Sequence, residues 1–275
     1  MLQPQLVSLH GPGDLDILLI AGVHGNELTP MKVLPDLYHK SEKEADYYKR
    51  LTFLIGANPY ALEERKREGK YEEKDDLNRS FHTSYDSKKE LKELIDLHQI
   101  VIDVHSSPRC CNLVLFDNDQ FAPSLYQWCK KTGLTYACRN FNGDTIKKYV
   151  LSKGKIGLTV ELCGTKMPTF GNIDTGAAFL RKLLRDLHLI KILIPNNDGS
   201  PKTWVDILSP AEGIISYFDG ILGKRSVKGE AIGVINDFQG RPRNSIVMPC
   251  TGTVVDLPDT DYIKMGEIVA SIQPD

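Results

Sequence analysis

Apolar runs and amphipathic stretches alternate along the first two thirds of the chain. Five short runs are almost wholly apolar, as expected of strands buried on both faces of a sheet: Ile17–Ala21, Thr52–Ala57, Ile100–His105, Leu113–Phe116 and Gly157–Leu162. Four other stretches carry apolar residues three and four positions apart, which predicts helices: Leu28–His39, Lys88–Leu97, Ser124–Thr132 and Asn172–Leu187, the last capped by Asn172. This alternation predicts an α/β domain.

The last quarter of the chain has a different pattern. After residue 200 the helical periodicity disappears, and short β-prone runs are separated by Gly, Pro and Asp: Gly213–Tyr217, Ala231–Ile235, Ser245–Val247, Gly252–Val255 and Ile268–Ile272. Two of its segments, Val227–Gly233 and Ile263–Val269, begin about 36 residues apart and both carry a lysine shortly before a Gly-Glu pair, which suggests a duplicated hairpin. The polar stretch Ile194–Ser200 is typical of a linker. We therefore predict a domain over residues 1–195 and a small all-β domain over 200–275.

Composition excludes several classes of function. The chain has 275 residues, 41% of them hydrophobic and 25% charged, which is typical of a globular protein. The formal net charge of −2 leaves no basic excess to follow a phosphate backbone, so we expect no nucleic-acid partner. No secretory signal and no apolar run of about 20 residues is visible, so we expect a cytoplasmic protein with no membrane function. Self-association into a homo-oligomer stays open.

Six cysteines show no C-x-x-C spacing, so reduced thiols are expected. The neighbouring Cys110 and Cys111 could instead ligate a metal, although buried cysteine usually serves as a small apolar residue.

Two of the predicted strands end in residues that can bind metal. Ile17–Ala21 leads into a glycine-bearing turn that holds His24 and Glu27, and Ile100–His105 ends in His105 itself. Ligands of open α/β sheets lie at the carboxyl ends of the strands. Because a catalytic zinc needs three protein ligands and an open position, we predict a zinc site of His24, Glu27 and His105.

Spacing alone does not prove this site, since roughly one H-x-x-[DE] match is expected by chance. His39 and Glu42 form such a match in a charged, exposed helix end. Asp103 lies two residues before His105 on the same side of the strand, so it could orient that histidine.

Further candidates are an acid and a group of basic residues. Glu161 ends the buried strand Gly157–Leu162, where an unpaired carboxylate is costly, and we predict that it is the general base. A structural ion pair is the alternative. The cluster Arg65–Arg67 and the pair Asn78-Arg79 could bind a substrate carboxylate or an oxyanion, or could be surface charge.

Five motifs follow one another along the chain: His24-Gly-Asn-Glu27, Asn58-Pro59, Asp76-Leu-Asn-Arg79, Asp103-x-His105 and Val160-Glu161-Leu162. In this order they resemble the aspartoacylase and succinylglutamate desuccinylase family, relatives of carboxypeptidase A-type zinc enzymes. The resemblance spans roughly residues 15–190. It implies a zinc-carboxypeptidase-like mixed sheet flanked by helices. The region after residue 200 is similar to the biotinyl-lipoyl-like barrel-sandwich domain of many members.

The resemblance also implies a role for individual residues. One zinc ion per chain would be held by His24, Glu27 and His105, and Glu161 would transfer protons. A substrate carboxylate would be bound by Asn78 and Arg79. An arginine between Asn58 and Arg79 would polarise the scissile carbonyl; Arg67 has the family-like spacing, and Arg65 is the alternative.

The implied activity is zinc-dependent hydrolysis of a small N-acyl amino acid. The acyl group stays open, because aspartoacylase has an arginine a few residues before the catalytic-Glu strand, where this chain has Lys147–Leu151. A lysine there could serve a dicarboxylic acyl group. The alternative functions are a carboxypeptidase acting on peptides and a non-catalytic binding protein of the same fold.

Overall fold

The computed structural model describes residues 3–68, 76–79, 81, 88–108, 111–117, 119, 121–139, 143–164, 168–188, 203–258 and 260–275. Helices and strands alternate up to residue 186: β1 Gln5–His10, β2 Leu15–Ala21, α1 Leu28–Ser41, a 3-10 helix Glu42–Tyr47, β3 Tyr48–Ile55, α2 Pro59–Glu64, α3 Lys89–Asp96, β4 Ile100–Ser107, β5 Leu113–Phe116, α4 Ala122–Thr132, β6 Tyr136–Cys138, α5 Ile146–Ser152, β7 Ile156–Cys163 and α6 Phe170–Asp186.

These strands form one mixed sheet of seven strands in the order β1-β3-β2-β4-β7-β5-β6. Strands β3, β2, β4 and β7 are parallel. Strand β1 is antiparallel to β3, and β5 is antiparallel to β7. The predicted α/β class and the mixed sheet flanked by helices are confirmed.

Helices cover both faces of the sheet. One apolar cluster joins α1, α4 and α6 to one face, and a second joins α3 and α5 to the other. All seven residues of β2 are buried, because both faces of this central strand are covered. No helix in the described part of the chain has the length and apolar character needed to span a bilayer.

Helix α6 begins earlier than predicted. Its N-cap is Thr169, whose hydroxyl accepts a hydrogen bond from the Asn172 backbone N–H, while the Asn172 side chain accepts one from the Thr169 N–H. This reciprocal pair is a capping box, in which Asn172 is the third helical residue. The prediction that Asn172 is the cap is therefore wrong by three positions.

The chain after residue 203 forms two four-stranded antiparallel sheets. Their strands are β8 Val205–Leu208, β9 Gly213–Tyr217, β10 Arg225–Ser226, β11 Ala231–Asn236, β12 Pro242–Val247, β13 Gly252–Asp256, β14 Tyr262–Ile263 and β15 Ile268–Pro274. We call this part the β module. The domain boundary that we predict at residues 195–200 lies outside the described residues and stays a prediction.

The suspected repeat within the β module has matching turn geometry. In one copy Glu230 accepts a hydrogen bond from the Val227 N–H at 3.0 Å, and in the other Glu267 accepts one from the Lys264 N–H at 2.9 Å. The glycine before each glutamate has a positive φ, +87° and +85°. Both segments therefore build the same tight turn before a strand, because glycine adopts this backbone conformation without strain.

The β module packs against the edge of the large sheet. The Cys138 carbonyl of edge strand β6 accepts a hydrogen bond from Trp204 N–H, and the Cys138 N–H donates to the Gln273 side chain. Val255 of β13 packs against Leu113 and Leu115 of β5. The β module is thus held by backbone hydrogen bonds and by apolar contacts.

The described cysteines are free thiols. Cys111 lies in the interface with the β module, where its Sγ approaches the Val255 carbonyl at 3.8 Å. This position fits a small apolar residue. Cys110 lies outside the described residues.

Candidate active site

Three neighbouring parallel strands bring the predicted site residues together. Strands β2, β4 and β7 are adjacent in the sheet, and their carboxyl ends lie at the same edge. His105 and Glu161 are directly opposite each other in the β4–β7 register, and His24 and Glu27 lie in the turn after β2. A line of buried polar groups thus crosses the end of the sheet.

The turn after β2 depends on two glycines. Gly22 has a φ of +77°, which favours glycine. At Gly25 a Cβ atom would collide with the backbone carbonyl of Ala61 in α2. Glycine therefore lets the turn lie against α2, and that contact fixes His24 and Glu27 on either side of Gly25.

The imidazoles and the carboxylate of the predicted ligand set converge on one point. His24 Nδ1 lies 2.7 Å from Glu27 Oε1, and His105 Nδ1 lies 3.0 Å from Glu27 Oε2. The two Nδ1 atoms are 3.1 Å apart. One potential ligand atom from each residue lies within 4.8 Å of the other two, and all three residues are buried.

Each histidine directs its other ring nitrogen at a carboxylate. His24 Nε2 lies 3.0 Å from Asp76 Oδ1, and His105 Nε2 lies 2.7 Å from Asp103 Oδ2. A ring that donates from Nε2–H presents a lone pair at Nδ1, so both rings present acceptors to Glu27, which is itself an acceptor. With these tautomers three acceptor atoms face one another, an arrangement that a shared cation would stabilise. This donor set, with a carboxylate behind each histidine, fits a zinc ion.

The pKa shifts of His105 and Glu27 also support a cation site at these residues. Burial alone would lower the pKa of His105, but the carboxylates of Asp103 and Glu27 raise it well above its usual value. Burial alone would raise the pKa of Glu27, but His105 and His24 lower it far below its usual range. The site thus concentrates negative charge that a divalent cation would neutralise.

Glu161 lines a cavity of about 320 Å³ together with His24 and His105. Burial raises the pKa of Glu161 to about 8; the charge of His105 opposes this shift, and those of Glu27 and Asp256 add to it. A carboxylate with a pKa near neutrality is suited to accept a proton and return it.

The basic residues differ in their contacts. Arg67 lines the cavity and donates from Nε to Asp76 Oδ2 at 3.0 Å. Arg65 instead ends α2 with a φ of +52° and is not among the cavity residues. Arg79 lines the cavity and donates to the Asn78 carbonyl at 2.7 Å.

Asn78 is buried, and its side chain is already hydrogen-bonded to other residues of the protein. Its amide nitrogen lies 3.2 Å from Asp103 Oδ2, and its amide oxygen accepts the Ile146 N–H at 2.9 Å. It also lies 3.1 Å from His105 Nε2. Asn78 therefore ties the Asp103–His105 pair to α5, in addition to lining the cavity.

Among the residues of the cavity wall that sequence reasoning did not assign to the site, three lie where the β module meets the large sheet: Arg139, Trp204 and Asp256. The guanidinium carbon of Arg139 lies 4.1 Å from the Trp204 ring centre, a cation–π contact. None of the three belongs to a motif, and they meet only through the packing of the β module on the large sheet. The sequence signals that could have identified them were the tryptophan itself, Trp204, and the position of Asp256 at the end of a predicted strand.

Comparison with known proteins assigns the family. The sequence model named succinylglutamate desuccinylase/aspartoacylase catalytic domain matches residues 14–187. The chain belongs to the succinylglutamate desuccinylase/aspartoacylase family. The resemblance that we draw from the motifs is therefore confirmed. No individually curated protein matches the chain significantly.

Solved structures of this family share the fold. A succinylglutamate desuccinylase/aspartoacylase from Rhodobacter sphaeroides is 18% identical, with a TM-score of 0.71 over 98% of this chain and 89% of that one. A succinylglutamate desuccinylase from Silicibacter sp. is 16% identical, with a TM-score of 0.69 over 97% and 87%. An aspartoacylase family protein from Mesorhizobium loti is 20% identical, with a TM-score of 0.67 over 98% and 89%. At these identities the comparison shows the fold, including the β module.

Within this family member, Lys147 stands in the stretch where aspartoacylase has an arginine. Its ammonium is buried and lies 2.6 Å from Asp117 Oδ1. Burial lowers the pKa of Lys147, although Asp117 opposes this shift. The lysine lines the cavity but already has a carboxylate partner. It is therefore a weaker candidate for binding an acidic acyl group than its sequence position suggests.

Proposed function

We propose that this protein is a zinc-dependent deacylase that hydrolyses the amide bond of a small N-acyl amino acid. The observation that carries the proposal is the convergence of His24, Glu27 and His105 with Glu161 beside them. Membership in a family of deacylases supports hydrolysis. The size of the cavity, about 320 Å³, supports a small substrate.

The proposed roles follow from the contacts of each residue. His24, Glu27 and His105 would hold the zinc ion, which supplies a Lewis acid and lowers the pKa of a water molecule. Glu161 lies beside His105 on the adjacent strand and would take a proton from the attacking water. It would then return the proton to the leaving amine, whose departure needs protonation.

Two arginines complete the proposed mechanism. Arg67 lies next to Glu27, with its Nη1 3.5 Å from Glu27 Oε1, and would stabilise negative charge on the carbonyl oxygen. Arg79 lines the same cavity and would bind the substrate carboxylate through its planar guanidinium. Asn78 would support the proposed metal site by holding Asp103 and His105 in place.

The β module argues against a carboxypeptidase acting on long peptides. Trp204 and Asp256 line the same cavity as the ligand set, so protein occupies space beside the metal site that a polypeptide would need. A non-catalytic binding protein is not favoured either, since Glu161 lies beside a complete set of ligands.

The direct test combines metal analysis with a substrate screen. Purified protein loaded with zinc should retain one ion per chain, and His24→Ala and His105→Ala should each lose it. His39→Ala is the matched control, because this exposed histidine belongs to the chance H-x-x-E match. The zinc-loaded wild type should hydrolyse some acetyl- or succinyl-amino acids, and the two ligand variants should not. Failure to bind zinc, or turnover of long peptides equal to that of acyl amino acids, would contradict the proposal.

A further inference from the structure

One part of the cavity wall comes from the β module rather than from the large sheet. Trp204 precedes β8, and Asp256 is the last residue of β13. Both line the cavity together with Arg79 and Glu161. The β module is thus part of the candidate active site.

A β-bulge directs Asp256 into the cavity. Val254 pairs with Ile272 of β15, but Asp256 pairs with Ser271, so one extra residue is inserted in β13. Val254 packs in the core of the β module, whereas Val255 packs against Leu113 of β5. Bulges often re-aim a side chain next to an active site. Here the inserted residue anchors the β module to the large sheet and leaves the next side chain facing the cavity.

The charge of this wall is negative. Asp256, Ser271 and Asp206 form one row across β13, β15 and β8, and the Ser271 hydroxyl donates to Asp206 at 2.6 Å. The charges of both aspartates raise the pKa of the single guanidinium of Arg139, against the effect of its burial. Two carboxylates therefore share one cation.

Asp256 keeps capacity for another hydrogen-bond donor. Its Oδ1 has no partner among the described residues. Burial raises the pKa of Asp256 to about 6, although the Leu257 N–H and Arg139 oppose this shift, so the carboxylate is ionised at neutral pH.

This wall lies beside the part of the cavity that would hold the amino-acid half of a substrate. The negative charge of Asp256 helps to raise the pKa of Glu161, and the positive charge of Arg79 helps to lower the pKa of Arg139, so each pair lies close together. Asp256 is therefore near the proposed general base and near Arg139, which is itself near the arginine that would hold the α-carboxylate.

We propose that Asp256 is a specificity-determining residue that selects N-acyl amino acids whose side chain ends in an ammonium group. The proposal rests on the deacylase function proposed above. An ammonium offers donors to the unpartnered Oδ1 of Asp256 and an opposite charge to its carboxylate. A side-chain carboxylate would be repelled by Asp256.

The test compares three substrates of similar length: N-acetyl-ornithine, N-acetyl-norvaline and N-acetyl-glutamate. For the zinc-loaded wild type we expect kcat/KM to be highest for the ornithine derivative, by about tenfold or more over the norvaline derivative, as for one hydrogen bond to a charged group. In Asp256→Asn this ratio should fall towards one. Asp206→Asn is the matched control and should keep the ratio, because Asp206 is bonded to Ser271 and does not line the cavity.

Binding of the free amino acids separates this proposal from the deacylase function. Calorimetry should show that L-ornithine binds the zinc-loaded wild type more tightly than L-norvaline, and that Asp256→Asn loses this preference. That result without any turnover would overturn the deacylase function and support the ammonium site. A wild type that prefers glutamate or norvaline, or an Asp256→Asn variant that keeps the ornithine preference, would overturn the ammonium site. An Asp206→Asn variant that also loses the preference would overturn its assignment to Asp256.

Discussion

Replacing Asp103 by asparagine tests whether the ligand set depends on the carboxylate behind His105. Asp103 Oδ2 lies 2.7 Å from His105 Nε2 and 3.2 Å from the Asn78 amide nitrogen. An asparagine can place its carbonyl oxygen at this position, so the hydrogen bonds remain but lose their charge. A neutral partner leaves His105 a weaker base and a weaker metal ligand.

The expected loss of zinc affinity in Asp103→Asn can be estimated from this single change. Removing a carboxylate partner of a ligand histidine typically weakens metal binding about 10- to 100-fold. This corresponds to about 1.4–2.7 kcal/mol of zinc-binding free energy. Competition with a chromophoric chelator at neutral pH measures the zinc Kd of wild type and variant directly.

Asp16→Asn provides the control for this prediction. Asp16 is also a buried strand aspartate, but it pairs with Arg50, at 3.0 and 2.8 Å, at the opposite end of the sheet. We expect this variant to lose thermal stability without losing zinc affinity. An Asp103→Asn protein whose zinc Kd stays within about twofold of the wild type would refute the reasoning.

Four other changes have defined outcomes. Glu161→Gln should lower kcat by about 10²- to 10⁴-fold while zinc content stays at the wild-type level, as measured by metal analysis beside steady-state kinetics. Arg79→Lys should lower kcat/KM, because an ammonium cannot make two parallel hydrogen bonds; unchanged kcat/KM would mean that Arg79 is only surface charge. Gly25→Ala should weaken zinc binding and lower the melting temperature, whereas Gly171→Ala in α6, with an ordinary 3.8 Å contact, should do neither. The pKa of Asp256 rises from 3.8 to about 6 on folding, so its own contribution to the unfolding free energy should fall as the pH rises through this range. The unfolding free energy of Asp256→Asn, measured by denaturant titration, should therefore fall less or rise more over this range than that of the wild type; equal slopes would contradict this.

The central strands and the convergence of His24, Glu27 and His105 could be predicted from sequence because their signals are local. An apolar run that ends in a polar residue identifies a buried strand and the place where its side chain emerges. His24 and His105 follow two such runs, which are adjacent in the sheet. Physical reasoning from the residues left the roles of Asn78 and Arg79 open, and the family resemblance supplied them.

The missed elements carry weak local signals. Strand β1, Gln5–His10, is an edge strand with exposed and half-exposed positions, and β6, Tyr136–Cys138, has only three residues. Their pairing depends on the neighbouring strand more than on their own pattern. Asp256 and Arg139 were missed for a related reason, since they approach each other only when the β module packs against the large sheet.

The position of Cys138 has a consequence for how the chain avoids aggregation. Strand β6 is the last strand of the large sheet, and an open strand edge is a template for pairing with another chain. Trp204 and Gln273 occupy both backbone hydrogen-bonding groups of Cys138, and Val255 covers the apolar residues Leu113 and Leu115. The β module thus protects an edge that a chain ending at residue 187 would expose. The family match ends at residue 187, but the part of the chain that covers this strand edge lies beyond that limit.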